Sequence, residues 1–406
     1  MKIDKQQKRY IRNLLLTTAF GGLIGFVNYL FNIFIARYTN ESIFALYSTA
    51  IGLLYLIQIP FISIQNILTK GIGETKDGDI FKLKYRSIVS FSLIGFILSL
   101  LFFFLIPLVT TQEQISTELI LPLSFTLLLT FISPISRGII LGQEKIVLFN
   151  VIWFLETVLR FLIGIFGIRM GGNIDILILA SAIPSFLSFL IIIPFLKSES
   201  KEINSIKIDY KGIFLMTISF LLLSAPYTLD LILTPQNLKA EYGALSLIGK
   251  IVYFSCTTVA VVLFARLSNQ RSNKEKMKTL SLTVLATLVI GIVMSLVIYI
   301  FKDFILEFAY GGKYLDISKY FLTYGMVMSA YAVVYMFANF FFSKDSYWYI
   351  VILLFVTILQ VLLFNNDIFD INSIVNIQIV VYTTLFVLTI LYFIFKFLLN
   401  KNERED

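Results

Sequence analysis

Apolar runs of about 20 residues recur along the whole 406-residue chain and restrict its possible folds more than any other feature. Each run can cross a hydrocarbon core of roughly 30 Å as an α-helix. Because lipid offers peptide groups no hydrogen-bond partner, such a segment must be helical. The chain is 58% hydrophobic and only 14% charged, unlike soluble globular proteins. The sequence therefore predicts an all-α integral membrane protein.

The runs predict about twelve transmembrane helices joined by connections too short to form a soluble domain. The first run is longer than the apolar region of a secretory signal and lacks a small-residue cleavage site, so we expect it to remain as an anchor. The predicted spans are residues 14–36, 43–68, 87–109, 119–141, 147–168, 174–196, 213–234, 243–265, 280–301, 320–342, 347–364 and 374–395.

Basic residues are distributed unevenly between the two sides of the membrane. If the N-terminus lies inside, 25 of the 33 lysines and arginines are counted on the inner side, Arg137 and Lys145 among them, and 6 fall outside. The positive-inside rule then predicts a cell-membrane protein with both termini in the cytoplasm. This asymmetry accounts for most of the net charge of +8, so the charge does not call for a nucleic-acid partner.

Two long basic inner loops occupy matching positions and suggest an internal repeat. They join spans two and three and spans eight and nine. We therefore predict an N-terminal six-helix half over residues 1–196, a cytoplasmic connection over 197–212 and a C-terminal six-helix half over 213–406. An even number of spans precedes each half, so the halves share one topology, as in alternating-access transporters. Chance similarity between two sets of six spans is the alternative.

Residue usage excludes several kinds of chemistry. The chain has no histidine and a single cysteine, Cys256, which rules out histidine catalysis, an intrachain disulfide and a cysteine metal cluster. None of the glycine-rich turns has the spacing of a nucleotide-binding loop. We expect no catalytic residues, no metal site and no cofactor, and any proton chemistry must use carboxylates.

Span five carries two opposite charges, Glu156 and Arg160, in the stretch "WFLETVLRFL". A charge near the bilayer centre costs about 2.5–3.5 kcal/mol on insertion scales. At positions i and i+4 the two side chains share a helix face and can pair. The pair could be structural only. The alternative is a water-accessible cavity in which Arg160 binds an anionic phosphate while Glu156 takes up a coupling proton or sodium ion.

Further polar residues lie in other spans. Asp230 and Lys250 fall near the outer ends of spans seven and eight, where they could pair or share an outward vestibule, or Lys250 could reach the interface. Asp230 is the second candidate for ion coupling. Asn28 and Asn32 in span one and Gln58 in span two could bind substrate or bond neighbouring helices. Four prolines within or near spans predict kinks: Pro60, Pro134, Pro184 and Pro226.

The stretch "FISPISRGIILGQEKIVLFNVIWFLETVLRFLIGIFGIRMGG" resembles spans four and five of the polysaccharide flippases in the multidrug/oligosaccharidyl-lipid/polysaccharide exporter superfamily. The shared pattern is an arginine before a small residue and a glycine, then a helix with a glutamate and an arginine. "YTLDLILTPQNLKAEYGALSLIGKIVYF" resembles the passage from span seven to span eight, with Asp230, Gly243 and Lys250. The chain departs from the family at Ala45 and Ala265, where relatives commonly carry glycine and proline.

The resemblance implies translocation of an isoprenoid-diphosphate-linked oligosaccharide to the outer leaflet, for a surface polymer such as capsule or O-antigen. It implies ion-driven alternating access, with the candidate substrate-binding side chains Arg160, Glu156, Asn28, Asn32, Gln58, Lys250 and Asp230. The lipid-linked oligosaccharide and membrane lipids are the expected partners, and a polysaccharide polymerase and glycosyltransferases are candidates.

Two rival functions follow from the same features. A cation-coupled drug or metabolite antiporter of the superfamily would need a smaller, more acidic cavity, whereas Arg160 and Lys250 suit an anion. A membrane polysaccharide polymerase would also have about twelve helices, but such enzymes usually need a sizeable outer loop, and the longest here spans only about 302–319. We therefore expect a transporter and not an enzyme.

Overall fold

The computed structural model describes residues 5–74, 80–109, 115–143, 145–171, 173–195, 208, 210–269, 273–343, 348–365, 368 and 370–399. Within these ranges the chain is almost entirely helical and forms no β-strand. This confirms the predicted all-α membrane fold. The chain divides into two compact units, Met1–Leu221 and Leu222–Asp406, which are described separately. The predicted boundaries at 196 and 212 stay a prediction, and most of the connection 197–212 lies outside the described residues.

Among its described residues, the first unit contains eight α-helices and the beginning of a ninth. They are α1 (Lys5–Tyr38), α2 (Glu41–Glu74), α3 (Ile80–Val109), α4 (Thr117–Ile132), α5 (Pro134–Gly142), α6 (Ile146–Arg169), α7 (Ile174–Leu179), α8 (Ile183–Ile192) and α9 (Tyr210–Leu233). Asn40 starts α2, because its Oδ1 accepts the backbone N–H of Ile43 at 2.8 Å. α9 carries the chain into the second unit.

The second unit continues with six helices. They are α10 (Lys239–Asn269), α11 (Asn273–Ile300), α12 (Lys302–Tyr310), α13 (Phe321–Ser343), α14 (Tyr349–Phe364) and α15 (Ile371–Phe393). α12 ends at Gly311 and Gly312, whose φ angles of 63° and 78° are in the left-handed region that favours glycine. Asp370 caps α15, and hydrogen bonds from Ser373 hold the pKa of the Asp370 carboxyl below its usual range.

Every predicted span coincides with a helix or a pair of helices. Among the described residues, nine segments are long and apolar enough to cross a membrane. The stretches Ile183–Phe195 and Tyr349–Phe364 are shorter apolar helices, and α10 supplies the remaining predicted span. Sequence analysis missed α12, which lies in the predicted outer connection between spans nine and ten.

The helices differ in which partner covers their apolar side chains. The segment Lys82–Leu108 of α3 has a mean hydropathy of 2.7 but is only 11% buried, whereas Glu41–Thr69 of α2 is 67% buried with a mean hydropathy of 1.7. Exposed leucines and phenylalanines on α3 therefore suit contact with lipid. α2 lies inside its unit, so polar side chains along it have protein partners within reach.

Two of the predicted spans are broken. Span four divides into α4 and α5 at Ser133, because Pro134 has no N–H to continue the helical ladder. Span six divides into α7 and α8 across the turn Ala180–Ala182, just before Pro184. Broken helices are tolerated at membrane depth where protein surrounds them. Both breaks lie beside the charged residues described below.

α5 packs closely against α2 because it presents two glycines. A Cβ atom added at Gly142 would lie 2.6 Å from Ile72 Cβ, and one at Gly138 would lie 2.8 Å from Leu68 Cβ. Small residues at such crossings let backbones approach and gain dispersion contacts, which replace the hydrophobic effect inside a membrane. The approach also sets the position of Arg137, which precedes Gly138.

We predict that Gly142→Ala lowers the thermal midpoint of the purified protein in detergent. Overpacking costs about 1–3 kcal/mol, more than the gain of up to about 1 kcal/mol in helix propensity. Gly22→Ala is the matched control, since nothing lies within 4 Å of a Cβ added there, and it should leave the midpoint unchanged or raise it. Equal midpoints for the two variants would contradict the close approach.

Candidate functional site

Arg160 extends from α6 toward α1 in the first unit. It is the fifteenth residue of the 24-residue helix α6, so it lies well within the span. Its Nη1 donates a hydrogen bond to Asn28 Oδ1 at 3.3 Å, and its guanidinium lies 4.9 Å from the centre of the Phe31 ring. Its Nε donates no hydrogen bond to any residue that the structure describes. Arg160 therefore has an N–H group inside the membrane that can still donate a hydrogen bond.

Tyr47 of α2 completes this cluster. Its hydroxyl donates to Asn32 Oδ1 at 2.7 Å and interacts electrostatically with Arg160. Asn28 and Asn32 lie one turn apart on α1, so both amides face the same group of side chains. We call Asn28, Asn32, Tyr47 and Arg160 the arginine–amide cluster. It joins three helices of the first unit through polar contacts.

A glycine makes room for the aromatic wall of this cluster. Gly164 lies one turn after Arg160, and a Cβ added there would overlap the Phe31 ring. The missing side chain lets that ring lie against α6 and beside the guanidinium. An arginine above an aromatic face gains a cation–π attraction that partly offsets its loss of water.

Glu156 pairs with Arg137 of α5 and not with Arg160. Arg137 Nη2 forms an ion pair with Glu156 Oε2, and both side chains are less than a tenth exposed. The predicted Glu156–Arg160 pair is therefore wrong, because each residue bonds a different neighbouring helix. The assignment of Arg137 to the inner-side charges is also wrong, since this residue is buried in α5. The spacing in the sequence showed that Glu156 and Arg160 share a helix face, but it did not show that Arg137 of another helix competes for Glu156.

Three further residues contact the Arg137–Glu156 pair. Ser185 of α8 donates to Glu156 Oε2 at 3.0 Å, and Ser188 donates to Glu156 Oε1. Arg137 Nη2 also lies 3.3 Å from Ser185 Oγ, and its guanidinium lies 4.8 Å from the centre of the Phe61 ring. The pair thus links α2, α5, α6 and α8. Hydrogen bonds of this kind are required to keep an ion pair out of water.

In the second unit, Asp230 is held by two tyrosines. Its Oδ2 accepts hydrogen bonds from the hydroxyls of Tyr242 at 2.7 Å and Tyr324 at 3.3 Å, and the two hydroxyls are 2.8 Å apart. Its Oδ1 accepts the backbone N–H of Leu231 at 2.7 Å. The carboxyl is fully buried, so the alternative of a solvated outward vestibule at Asp230 is wrong. Donors from α9, α10 and α13 replace its hydration.

Lys250 lies close to Asp230 and is only 2% exposed. The two charges interact electrostatically, and the Lys250 ammonium lies 5.7 Å from the centre of the Tyr227 ring. Burial contradicts the alternative in which Lys250 extends to the membrane interface. Tyr227 also contacts Tyr253 and Tyr331, so the lysine belongs to an aromatic group within this unit.

Several buried polar atoms near this group make no hydrogen bond within the described part of the chain. They are Gln360 Oε1, both amide atoms of Gln378 and the Tyr382 hydroxyl. Gln360 Nε2 donates to the carbonyl of Pro226, one turn before Asp230, at 3.0 Å. Tyr382 interacts electrostatically with Asp230 and Tyr324. These atoms are hydrogen-bond donors and acceptors that the contacts described above do not use.

The structure thus groups some predicted side chains and separates others. It brings Asn28, Asn32 and Arg160 together, whereas Gln58 is half-buried in α2 and makes no hydrogen bond with the described residues. Asp230 and Lys250 lie in the second unit. Across the described residues, no three acidic or cysteine side chains form a group that could hold a metal ion.

Sequence analysis missed six residues that make polar contacts in these sites: Arg137, Tyr47, Ser185, Ser188, Tyr242 and Tyr324. Arg137 could have been identified from its position in span four, since a charge inside a span requires a partner. The tyrosines gave no such signal, because the chain has 21 of them and an aromatic residue in a span needs no special explanation.

Solved structures with the same architecture identify the fold. The lipid II flippase MurJ in an inward closed conformation superimposes with a TM-score of 0.71 at 17% identity, covering 94% of this chain and 87% of MurJ. The chain has the fold of the multidrug/oligosaccharidyl-lipid/polysaccharide exporter superfamily. This confirms the resemblance suggested by the sequence. No protein-family model and no curated protein matches the chain.

Multidrug transporters share this exporter fold. An outward-facing multidrug resistance transporter of the MATE family gives a TM-score of 0.62 at 13% identity, covering 94% of both chains. The MATE multidrug transporter DinF-BH gives 0.63 at 15% identity, covering 95% of both chains. At these identities the likeness shows the fold alone and leaves the activity and the substrate undetermined.

We predict that double-mutant cycles give a larger coupling energy between Glu156 and Arg137 than between Glu156 and Arg160. Breaking a buried pair costs about 3–5 kcal/mol, and residues in one network couple by about 0.5–3 kcal/mol. Thermal midpoints in detergent should show strong coupling between Glu156→Gln and Arg137→Gln, and weaker coupling between Glu156→Gln and Arg160→Gln. The reverse order would restore the pairing expected from sequence spacing.

We also predict that Tyr242→Phe destabilises the protein, because it removes a donor from the buried Asp230 carboxylate. Leaving such an acceptor unsatisfied costs about 1–3 kcal/mol, so the thermal midpoint should fall. Tyr299→Phe is the control, since Tyr299 is 40% exposed on α11 and should tolerate the change. A midpoint for Tyr242→Phe equal to that of the control would contradict the Asp230 contact.

Proposed function

We propose that this protein translocates an isoprenoid-diphosphate-linked oligosaccharide across the cytoplasmic membrane for the synthesis of a surface polysaccharide. The exporter fold supports transport, since the neighbours described above are transporters. A lipid II flippase among them supports a lipid-linked substrate by analogy of fold. The same analogy favours a transporter over the rival polymerase.

The observation that carries the proposal is the arginine–amide cluster inside the membrane. Arg160 is not neutralised by Glu156, which pairs with Arg137 instead, so its positive charge and its Nε donor remain for a ligand. A planar guanidinium can donate two parallel hydrogen bonds to a phosphate. The cluster therefore suits the diphosphate of a lipid-linked sugar.

The amides beside Arg160 suit the remainder of the head group. Asn28 and Asn32 provide donors and acceptors for sugar hydroxyls, and both lie in contact with the arginine or with Tyr47. We propose Gln58 and Lys250 as further contacts as the substrate moves. The isoprenoid chain can stay in lipid during the passage, so only the polar part requires a protein route.

We further propose that an ion gradient drives alternating access, with Glu156 and Asp230 as the coupling carboxylates. Each is buried in its own unit among hydroxyl donors, so taking up a cation would change its contacts. Both termini are proposed to lie in the cytoplasm, as the inner-side excess of basic residues indicates. A polymerase and glycosyltransferases that share the lipid-linked substrate are proposed partners.

A drug or metabolite antiporter is the second candidate, favoured by the fold shared with the multidrug transporter DinF-BH. Such a transporter would bind cations. The arginine–amide cluster argues against that substrate class, because its only ionised side chain among the described residues is Arg160. A cation approaching it would meet repulsion and not a counter-charge.

We predict that Arg160→Ala slows substrate movement about tenfold or more, since charged hydrogen bonds contribute about 1.5–3 kcal/mol. Protein in proteoliposomes would be given a fluorescent isoprenoid-diphosphate oligosaccharide, and its protection from an external quencher would be measured under an imposed ion gradient. Arg160→Lys should recover only part of the rate, because an ammonium lacks the planar fork.

Arg169→Ala is the matched control for this assay. Arg169 is exposed in the last turn of the same helix, so its removal should leave the rate unchanged at equal insertion and thermal midpoint. Native protein that exports small organic cations and moves none of several lipid-linked glycans would overturn the flippase proposal and support the antiporter.

A further inference from the structure

Three prolines that break or kink helices lie beside the Arg137–Glu156 pair. Pro60 of α2 precedes Phe61, whose ring faces Arg137. Pro134 begins α5 one turn before Arg137, and Pro184 is the second residue of α8, just before Ser185. Proline has no N–H, so each of these helices lacks a backbone hydrogen bond at its proline. Side-chain contacts near the prolines therefore contribute more to the position of the helix segments. The pair is the charged centre of those contacts.

Each oxygen of the Glu156 carboxylate already has a donor. Oε2 faces Arg137 and Ser185, and Oε1 faces Ser188. A sodium ion would need several oxygen lone pairs directed at it, whereas here the groups direct N–H and O–H bonds at the carboxylate. The neighbouring guanidinium would also repel a metal ion. A proton needs only one lone pair of the carboxylate and no shell of ligands.

We propose that the coupling ion at Glu156 is a proton, and that Arg137 is the internal cation whose ion pair this proton breaks. The proton comes from water and forms an O–H bond on the carboxylate, so Glu156 becomes neutral. Arg137 keeps its charge, so the net charge of the Arg137–Glu156 pair changes from zero to +1. Arg137 is a positioning residue here, because it acts through Glu156. This inference rests on the proposed ion-driven transport.

Protonation of Glu156 would weaken the contacts that hold α2, α5 and α8 to α6. With Glu156 neutral, Arg137 retains the Ser185 hydroxyl and the Phe61 ring but loses its counter-charge. A buried guanidinium without a counter-charge is unfavourable, so a rearrangement that admits water becomes favourable. The segments after the breaks at Pro134 and Pro184 are the ones attached to the pair, and they are expected to move.

No other described charge replaces Arg137 at this carboxylate. Of the helices packed against α6, α5 contributes Arg137 and α8 contributes no ionisable residue. α7 carries Asp175, which is exposed in its first turn, and the described side chains of α1 include Tyr29, Arg37 and Tyr38. Within α6, Arg160 contacts Asn28 instead. A structural change near α8 on acidification should therefore result from protonation of Glu156.

The test uses a reporter thiol that needs no substrate. Cys256 is the only cysteine, so Cys256→Ser gives a cysteine-free background with one change. Ser181→Cys then places a thiol in the turn between α7 and α8, where the Ser181 hydroxyl is buried and makes no hydrogen bond with described residues. Ser42→Cys, exposed in the first turn of α2, is the reference for the intrinsic pH dependence of thiol reactivity.

We expect acidification to raise labelling of the Ser181→Cys thiol by a small maleimide severalfold relative to the Ser42→Cys reference. Added Glu156→Gln should give high, pH-independent labelling. The matched double variant Arg137→Gln with Glu156→Gln contains no unpaired charge, so it should fold as the native protein does and lose the acid response. An acid response that persists in both variants would overturn the proposal.

Transport by the same variants separates this inference from the proposed function. In native proteoliposomes a proton gradient should drive movement and a sodium gradient should not. The double variant should move substrate only down its own gradient, whereas a purely structural pair would leave proton-driven transport intact. Transport driven by sodium overturns the proton assignment. If no lipid-linked substrate moves at all while the labelling response holds, the proposed substrate fails and the Arg137–Glu156 mechanism stands.

Discussion

A carboxylate in the middle of a membrane helix persists only where neighbouring helices supply its counter-charge and its hydrogen-bond donors. At Glu156 these come from Arg137 on α5 and from two serines on α8. Most other features of the first unit follow from this requirement. The close approach of α2 and α5 at Gly138 and the break before α8 both place donors near the carboxylate, and Arg160 is left for other contacts.

The second unit meets the same requirement with different chemistry. Asp230 is surrounded by hydroxyl groups of Tyr242 and Tyr324, with Lys250 as a nearby charge. Tyrosine combines an apolar ring, which suits a membrane interior, with one strong donor at its tip. The two carboxylates are therefore held by different donors: Glu156 by a guanidinium and two serines, and Asp230 by two tyrosines.

Local rules predicted the helices and their breaks, but not the charge pairing. Each of the twelve spans predicted from hydropathy coincides with a helix or a pair of helices, because lipid forces each apolar segment to satisfy its own backbone. Proline positions predicted the breaks before α5 and α8 for the same local reason. The i to i+4 spacing of Glu156 and Arg160 suggested a pair, yet each side chain is long enough to reach another helix, and those contacts prevailed.

The sequence by itself determined that this chain is a helical membrane protein, where its spans lie and which of them carry charge, since these depend on composition and on neighbours along the chain. Only the tertiary structure decided which charges meet. Arg137 and Glu156 lie 19 positions apart and Arg160 and Asn28 lie 132 apart. Contacts over such separations depend on how helices pack, and hydropathy patterns carry no information about which helix faces which.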